Sequence, residues 1–369
     1  MHRCGSCWWR AEADQRFCEG DGRGDAVHDR YPGSRGDPAA VGPGPGPWPH
    51  VYGGTTKLTL ADELELTSVA LADLPTDDLM CRVLPAPSNL TMDPAGSAGD
   101  EPHPDTPVVW EHIAGLARKY DVPIHAHALR GMVTQAVRHV PEIVGPRLHL
   151  AHCTSQTRTD LDLIAAHRCS VAHGPYTHAN VKAPCHVLEL LEGGAGVVIA
   201  TDGAAPDRSY DLLAQVHPAI QWQRIQAGDV QVLPAAKALA MVTIDAGRAL
   251  GMADEIGSLE PGKKADIVLI DGRSPHFQPL LPELAVHRLA YAANGNDVST
   301  VIVDGRIVVR ERRLLTVDPT EINARATEQS LAALHRSDLH DALRLPTSSS
   351  NATRYPPPES RAAPIRDPA

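Results

Sequence analysis

From Val122 to about Ile225 the chain repeats one unit: a short apolar strand, a polar residue at its carboxyl end, a loop and an amphipathic helix. The strands read VPIHA, RLHLA, SVA and GVVIA. The helices between and after them include TRTDLDLIAAHR, CHVLELLEGG and DLLAQVHPAIQWQRI. Strand and helix alternating at this spacing predict a parallel sheet with right-handed crossovers.

The flanking segments have other periods. LTLADELELTSVALADL, Leu58 to Leu74, is a helical pattern, and CRVLPAPSN reads as a short strand entering a Pro/Gly/Asp-rich loop. The helix VVWEHIAGLARKY then feeds the first repeated strand. From Ile256 the pattern turns to β: GSLEPGKKADIVLID enters a strand, and STVIVDGRIVVRERR is a hairpin with Asp304-Gly305 at its turn. The expected boundaries are a disordered segment at 1–50, barrel-type repeats at 51–253, a small β unit at 254–318, a helix at 319–336 and a disordered tail at 337–369.

Composition narrows the function. The net charge of −11 and the lack of basic runs argue against nucleic acid, whose phosphates need neutralising. No apolar stretch approaches the roughly 20 residues that cross a bilayer, and the first residues hold no apolar signal core. Seven scattered cysteines suit a reducing cytoplasm, which is the expected location. Cys4, Cys7 and Cys18 lack the second pair that a zinc knuckle needs. The sequon at Asn89 accordingly carries no weight.

The repeated strands end on a constellation. VPIHA is followed by His127, RLHLA by His152, SVA by His173 and GVVIAT by Asp202. In a parallel α/β barrel the carboxyl ends converge on one face, which holds the active site. A single histidine there is more often structural than a ligand. Four consecutive strand ends carrying three imidazoles and a carboxylate point instead to a divalent metal and the water it activates. On this reading His127 faces the metal and His125 points elsewhere along the wall.

The runs LAHCTSQT, SVAHGP, VVIATDGAAPDRSYDLL and ALAMVTIDAGRALGMADEIGSLEPGKKADIVLID, in this order, resemble the amidohydrolase superfamily. The likeness is to its deaminases of methylthioadenosine, adenosylhomocysteine and related bases, and to its triazine chlorohydrolases. It covers roughly residues 50 to 320. It implies a metal-dependent hydrolase of non-peptide carbon–nitrogen bonds, deaminating or dechlorinating a small heteroaromatic substrate. By this resemblance His127 and Asp202 are metal ligands, with zinc expected and iron as the alternative. His152 polarises the water or substrate, Asp202 takes the water's proton, and His173 contacts the substrate.

Two departures stand out. The family's first strand carries a His-x-His pair, and none stands upstream of Leu58. The expected fold is therefore an incomplete TIM-like (β/α) barrel with a small C-terminal β-sandwich unit, open to association with further copies. Second, Arg130 stands where many relatives have a glutamate. A guanidinium cannot relay a proton, so Arg130 either meets an anionic group of the substrate or is solvated. The alternative function is a truncated, inactive relative, or a protein that binds a heterocycle without turning it over.

Overall fold

The computed structural model describes residues 60–73, 84–86, 90, 106–181, 184–203 and 209–336. The chain divides into two compact units, one running to Arg313 and one from Leu314 onward. The segments 1–50 and 337–369, with Cys4, Cys7 and Cys18, lie outside the described residues, as does Asn89.

Helix α1 (Leu60–Asp73) follows the helical pattern read over Leu58 to Leu74. It is tied to α2 (Thr106–Tyr120) by the His112 ring, whose Nε2 lies 2.9 Å from Ser68 Oγ and 3.1 Å from the Leu64 carbonyl. On α2 Val109, Trp110, Ile113, Ala114 and Ala117 form a buried stripe of helical spacing. Arg118 and Lys119 stand in its last turn, where positive charge suits the helix dipole.

CRVLPAPSN departs from expectation. Its described residues, Leu84–Ala86, form no regular strand. The Pro85 carbonyl accepts from His125 N at 3.1 Å, and Leu90 N donates to the His127 carbonyl at 2.9 Å. The segment therefore lies beside the next strand without a ladder. Pro85 has no N–H to donate to a ladder.

Four parallel strands follow in chain order: β1 (Ile124–Leu129), β2 (Leu148–Thr154), β3 (Ser170–His173) and β4 (Gly196–Ile199). Between them run α3 (Met132–His139), α4 (Arg158–Ala166), α5 (Pro175–Val181) and α6 (Val187–Glu192). After β4 come α7 (Leu212–Ala227), α8 (Ala235–Met241) and α9 (Ile244–Ala249). One face of the sheet packs Ala126, Leu148, Leu150, Val171, Val197 and Ile199 into the main core with the helices. On the other face Ala172, Val198 and Ala200 meet Ala246, Met252 and Ile256. All seven residues of β2 are buried, as in a sheet covered on both sides. β1 and β2 run further than their apolar runs suggest, so His127 and His152 are strand residues rather than the residues after the strands.

The β unit contains β5 (Ile267–Ile270), helix α10 (Ala285–Ala292), β6 (Val298–Val303), β7 (Arg306–Arg310) and the two-residue β8 (Arg313–Leu314). Among the described residues its strands form one sheet of order β5-β6-β7-β8. The hairpin turns at Asp304 and Gly305, with φ of 49° and 78°, the paired positive values that fit a right-twisted hairpin. Asp304 N donates to the fully buried Asp266 at 2.6 Å. In the second unit α11 (Pro319–Arg336) fills the expected helix. No described helix is long and apolar enough to cross a membrane.

Candidate active site

Partnered residues of a parallel pair share a face of the sheet. β1 and β2 pair His125 with His149 and His127 with Ala151. His125 and His127, two residues apart, thus project from the same side, contrary to the expectation that His125 points elsewhere. His125 sits one pair deeper, its ring edge-on to His149 at 6.4 Å.

His152 pairs with Ala128, and strict alternation would send it into the helix-side core. The backbone prevents this. His152 and Cys153 adopt left-handed φ of 71° and 47°, and the register slips between Ala128 and Leu129. Cys153 falls into the core instead, and the His152 ring stacks on His127 at 5.0 Å with 21° between planes. Past β4, Asp202 is also left-handed, at φ 71°. Its Oδ2 lies 3.8 Å from His152 Nε2, and the two side chains are 20% and 5% exposed. Non-glycine residues in this region cost about 1–3 kcal/mol each and cluster at functional sites.

His173 ends β3 fully buried, with Nδ1 3.1 Å from Nδ1 of His178 on α5. The His178 ring in turn lies 5.7 Å from that of His152. His127, His152, His178 and His173 therefore form one contiguous line of imidazoles beside Asp202. Arg130 stands exposed on the turn after β1, and no hydrogen bond or ion pair ties it to this line among the described residues.

Two residues at this rim escaped the sequence reading. His178 carried a faint signal, as a second histidine one helical turn beyond the Pro175 that opens α5. Asp160 carried a clearer one, because Thr157-x-x-Asp160 is a capping box. The buried Asp160 carboxylate also accepts from Gly131 N at 2.8 Å, Thr134 N at 3.0 Å and Thr134 Oγ1 at 2.7 Å. It locks the start of α4 to the turn after β1, and so fixes the loops that follow His127 and His152. Burial opposes its charge, yet the bonds from Thr157, Thr134 and Gly131 together hold its pKa below the usual carboxylate value.

The buried imidazoles are held neutral. Burial first, then His149 and His127, push the pKa of His125 down to about 3. Burial takes His149 to about 4, against the raising effect of the Ala249 carbonyl. His173 is driven well below the ordinary imidazole range by burial and by His178. Neutral imidazole nitrogen and carboxylate oxygen are the donors a zinc-type cation takes. Their number is incomplete: among the described residues no group of three His, Cys, Asp or Glu side chains stands in a ligating arrangement.

The sequence pattern of the amidohydrolase family matches residues 96–308. The chain belongs to this family. A 5-methylthioadenosine/S-adenosylhomocysteine deaminase of Moorella thermoacetica is 36% identical to it over 62% of this chain and 56% of its own length. The protein of the same name from Pelotomaculum thermopropionicum is 33% identical over 64% and 57%. The chain thus spans little more than half the length of the curated relatives it matches. Among solved structures, an adenosine deaminase from Xanthomonas campestris with bound zinc aligns at a TM-score of 0.65 and 24% identity, over 77% of this chain and 64% of that one. A zinc complex of atrazine chlorohydrolase from Arthrobacter aurescens aligns at 0.60 and 22%, over 73% and 59%. At these identities the likeness establishes the amidohydrolase fold.

Proposed function

We propose that this chain is a metal-dependent hydrolase of non-peptide carbon–nitrogen bonds that deaminates an aminopurine nucleoside. The reading rests on one observation: His127, His152 and Asp202 come together at the carboxyl ends of parallel strands in an amidohydrolase chain. The names of its deaminase relatives support the substrate class. His127 and Asp202 would hold a divalent cation, zinc by preference. Such a cation, when bound, supplies the Lewis acidity that makes water nucleophilic near neutral pH.

The chain's own groups do the rest. Asp202 Oδ2 takes the proton of the attacking water and returns it to the departing amine. His152 Nε2, 3.8 Å from that oxygen, orients the water and the ring atom under attack. His173 touches the substrate ring. Arg130, exposed on its turn, is left to an anionic substituent at the mouth. The incomplete ligand set among the described residues favours a second reading, a heterocycle-binding protein without turnover.

Ammonia release separates the two. The chain loaded with zinc is offered 5′-methylthioadenosine, S-adenosylhomocysteine and adenosine, with chloride release from a chlorotriazine as a parallel assay. Release of ammonia is expected. Tight binding of these nucleosides with no release of either product would sink the hydrolase reading and leave the second.

A further inference from the structure

The end of β2 is irregular over a short stretch, and one side chain closes it. His152, Cys153 and Ser155 have left-handed φ of 71°, 47° and 54°. Ala128 pairs with His152, Leu129 pairs with Thr154, and the ladder slips between them. Gln156 follows directly and is 7% exposed. Its side-chain Nε2 donates back to the Ala128 carbonyl at 3.3 Å. The chain from His152 to Gln156 is therefore anchored at both ends on one residue of β1.

The orientation of the amide follows from its partner. A backbone carbonyl only accepts, so the end of the Gln156 amide that faces Ala128 is the NH2 group. Oε1 then lies at the other end, buried and with no hydrogen-bond partner among the described residues. An unsatisfied buried oxygen is destabilising, and an apolar side chain of the same length would avoid it. The bond to Ala128 is what a glutamine provides here and an apolar residue does not.

We infer that Gln156 is a positioning residue: its amide clips the loop after β2 onto β1, and so holds the left-handed segment that turns His152 onto His127. Ordinary strand alternation would send His152 into the helix-side core and turn Cys153 toward the other face. Left-handed backbone at non-glycine residues persists only where the surroundings over-determine it. Beyond Gln156, the Thr157–Asp160 capping box fixes the start of α4. Before it, the register has slipped and the ladder no longer governs the backbone. Gln156 supplies the tie there. The consequence for the reaction rests on the proposed role of His152 beside Asp202.

The placement of His152 is measurable without turnover. In the chain labelled with ¹³C at histidine Cε1, the His152 ring proton should carry the ring-current shift of its stack on His127, whose centre is 5.0 Å away. Gln156→Met keeps the length of the side chain and removes the donor. In that variant the His152 signal should move toward its unfolded-chain position. The signal of His149, bonded to the Ala249 carbonyl, should stay. An unmoved His152 signal overturns the inference. Equal movement of both signals also overturns it, since it reports a general loosening of the sheet. If the variant does not fold, the unsubstituted chain decides. There the Gln156 side-chain amide protons should exchange with deuterium far more slowly than those of the exposed Gln226, and equally fast exchange overturns the inference.

Kinetics supply the second arm. In the zinc-loaded chain, Gln156→Met should lower kcat for 5′-methylthioadenosine about tenfold, the equivalent of one hydrogen bond. KM should stay within about threefold, since Gln156 acts through His152 and on the step rather than on binding. The thermal midpoint should be unchanged or higher, because the orphaned oxygen leaves with the substitution. A fall in kcat matched by a fall in the thermal midpoint marks an ordinary structural residue and overturns the inference, as does an unchanged kcat. If the unsubstituted chain shows no turnover, the hydrolase reading fails alone, and the His152 signal still decides the role of Gln156.

Discussion

β2 buries all seven of its residues, whereas across β5, β6 and β7 only Val303 is buried, although those strands are richer than β2 in Val, Ile and Leu. Both sheets also use left-handed backbone at non-glycine residues. In the antiparallel sheet it falls where the chain reverses, at Asp304, Glu311 and Arg312. In the parallel sheet it falls at His152 and Asp202, where the chain needs no reversal and the strain serves to aim a side chain. Dense packing on both faces is what lets the parallel sheet hold such residues. A half-covered sheet has too few neighbours to over-determine them.

The sharpest way to break this contrast is at Asp202. Asp202→Asn should lower hydrolysis by about 10³-fold or more while leaving the circular dichroism spectrum unchanged. Substantial retained turnover would show that the strained turn after β4 has no part in the chemistry.

Packing comes next. Leu150 is fully buried in the parallel sheet and Leu269 is 46% exposed in the antiparallel one. Leu150→Ala should cost about 2–5 kcal/mol in urea unfolding. Equal costs at the two positions would mean that the antiparallel sheet is covered in solution.

Acid should also act on the parallel sheet. His149 has a folded pKa of about 4 against an ordinary value of 6.5. Its contribution is complete above pH 6.5 and is lost as pH falls toward 4, because the unfolded chain binds the proton first. The loss is of order 3 kcal/mol. His149→Gln should flatten stability over that window, measured by denaturant titration at each pH. An unchanged slope would place His149 in contact with water.

The smallest effect is expected at Leu269 itself, where Leu269→Ala should change stability by about 0.5 kcal/mol or less.

Much of this was readable in the chain. The strand–helix repeat, the Asp304-Gly305 hairpin and the helix at Pro319–Arg336 follow from local periodicity and turn chemistry, which neighbouring residues largely decide. Assigning His127, His152, His173 and Asp202 to one rim needed only the rule that parallel strands point the same way. The absence of a regular strand at Leu84–Ala86 was less legible, because an apolar run hides that Pro85 has no N–H to donate.

The sequence by itself determined which residues reach the carboxyl rim, since topology carries strand ends to one side whatever the details of packing. It did not determine which way each ring turns there. Alternation sends His152 into the helix-side core, and only the left-handed backbone at His152 and Cys153, held by the surrounding packing, turns it onto His127. It likewise gave no reason to single out His178, whose place between His152 and His173 depends on how α5 folds back over the strand ends. Ring orientation and tautomer depend on contacts between residues distant in sequence, and those contacts exist only once the sheet and its helices have packed.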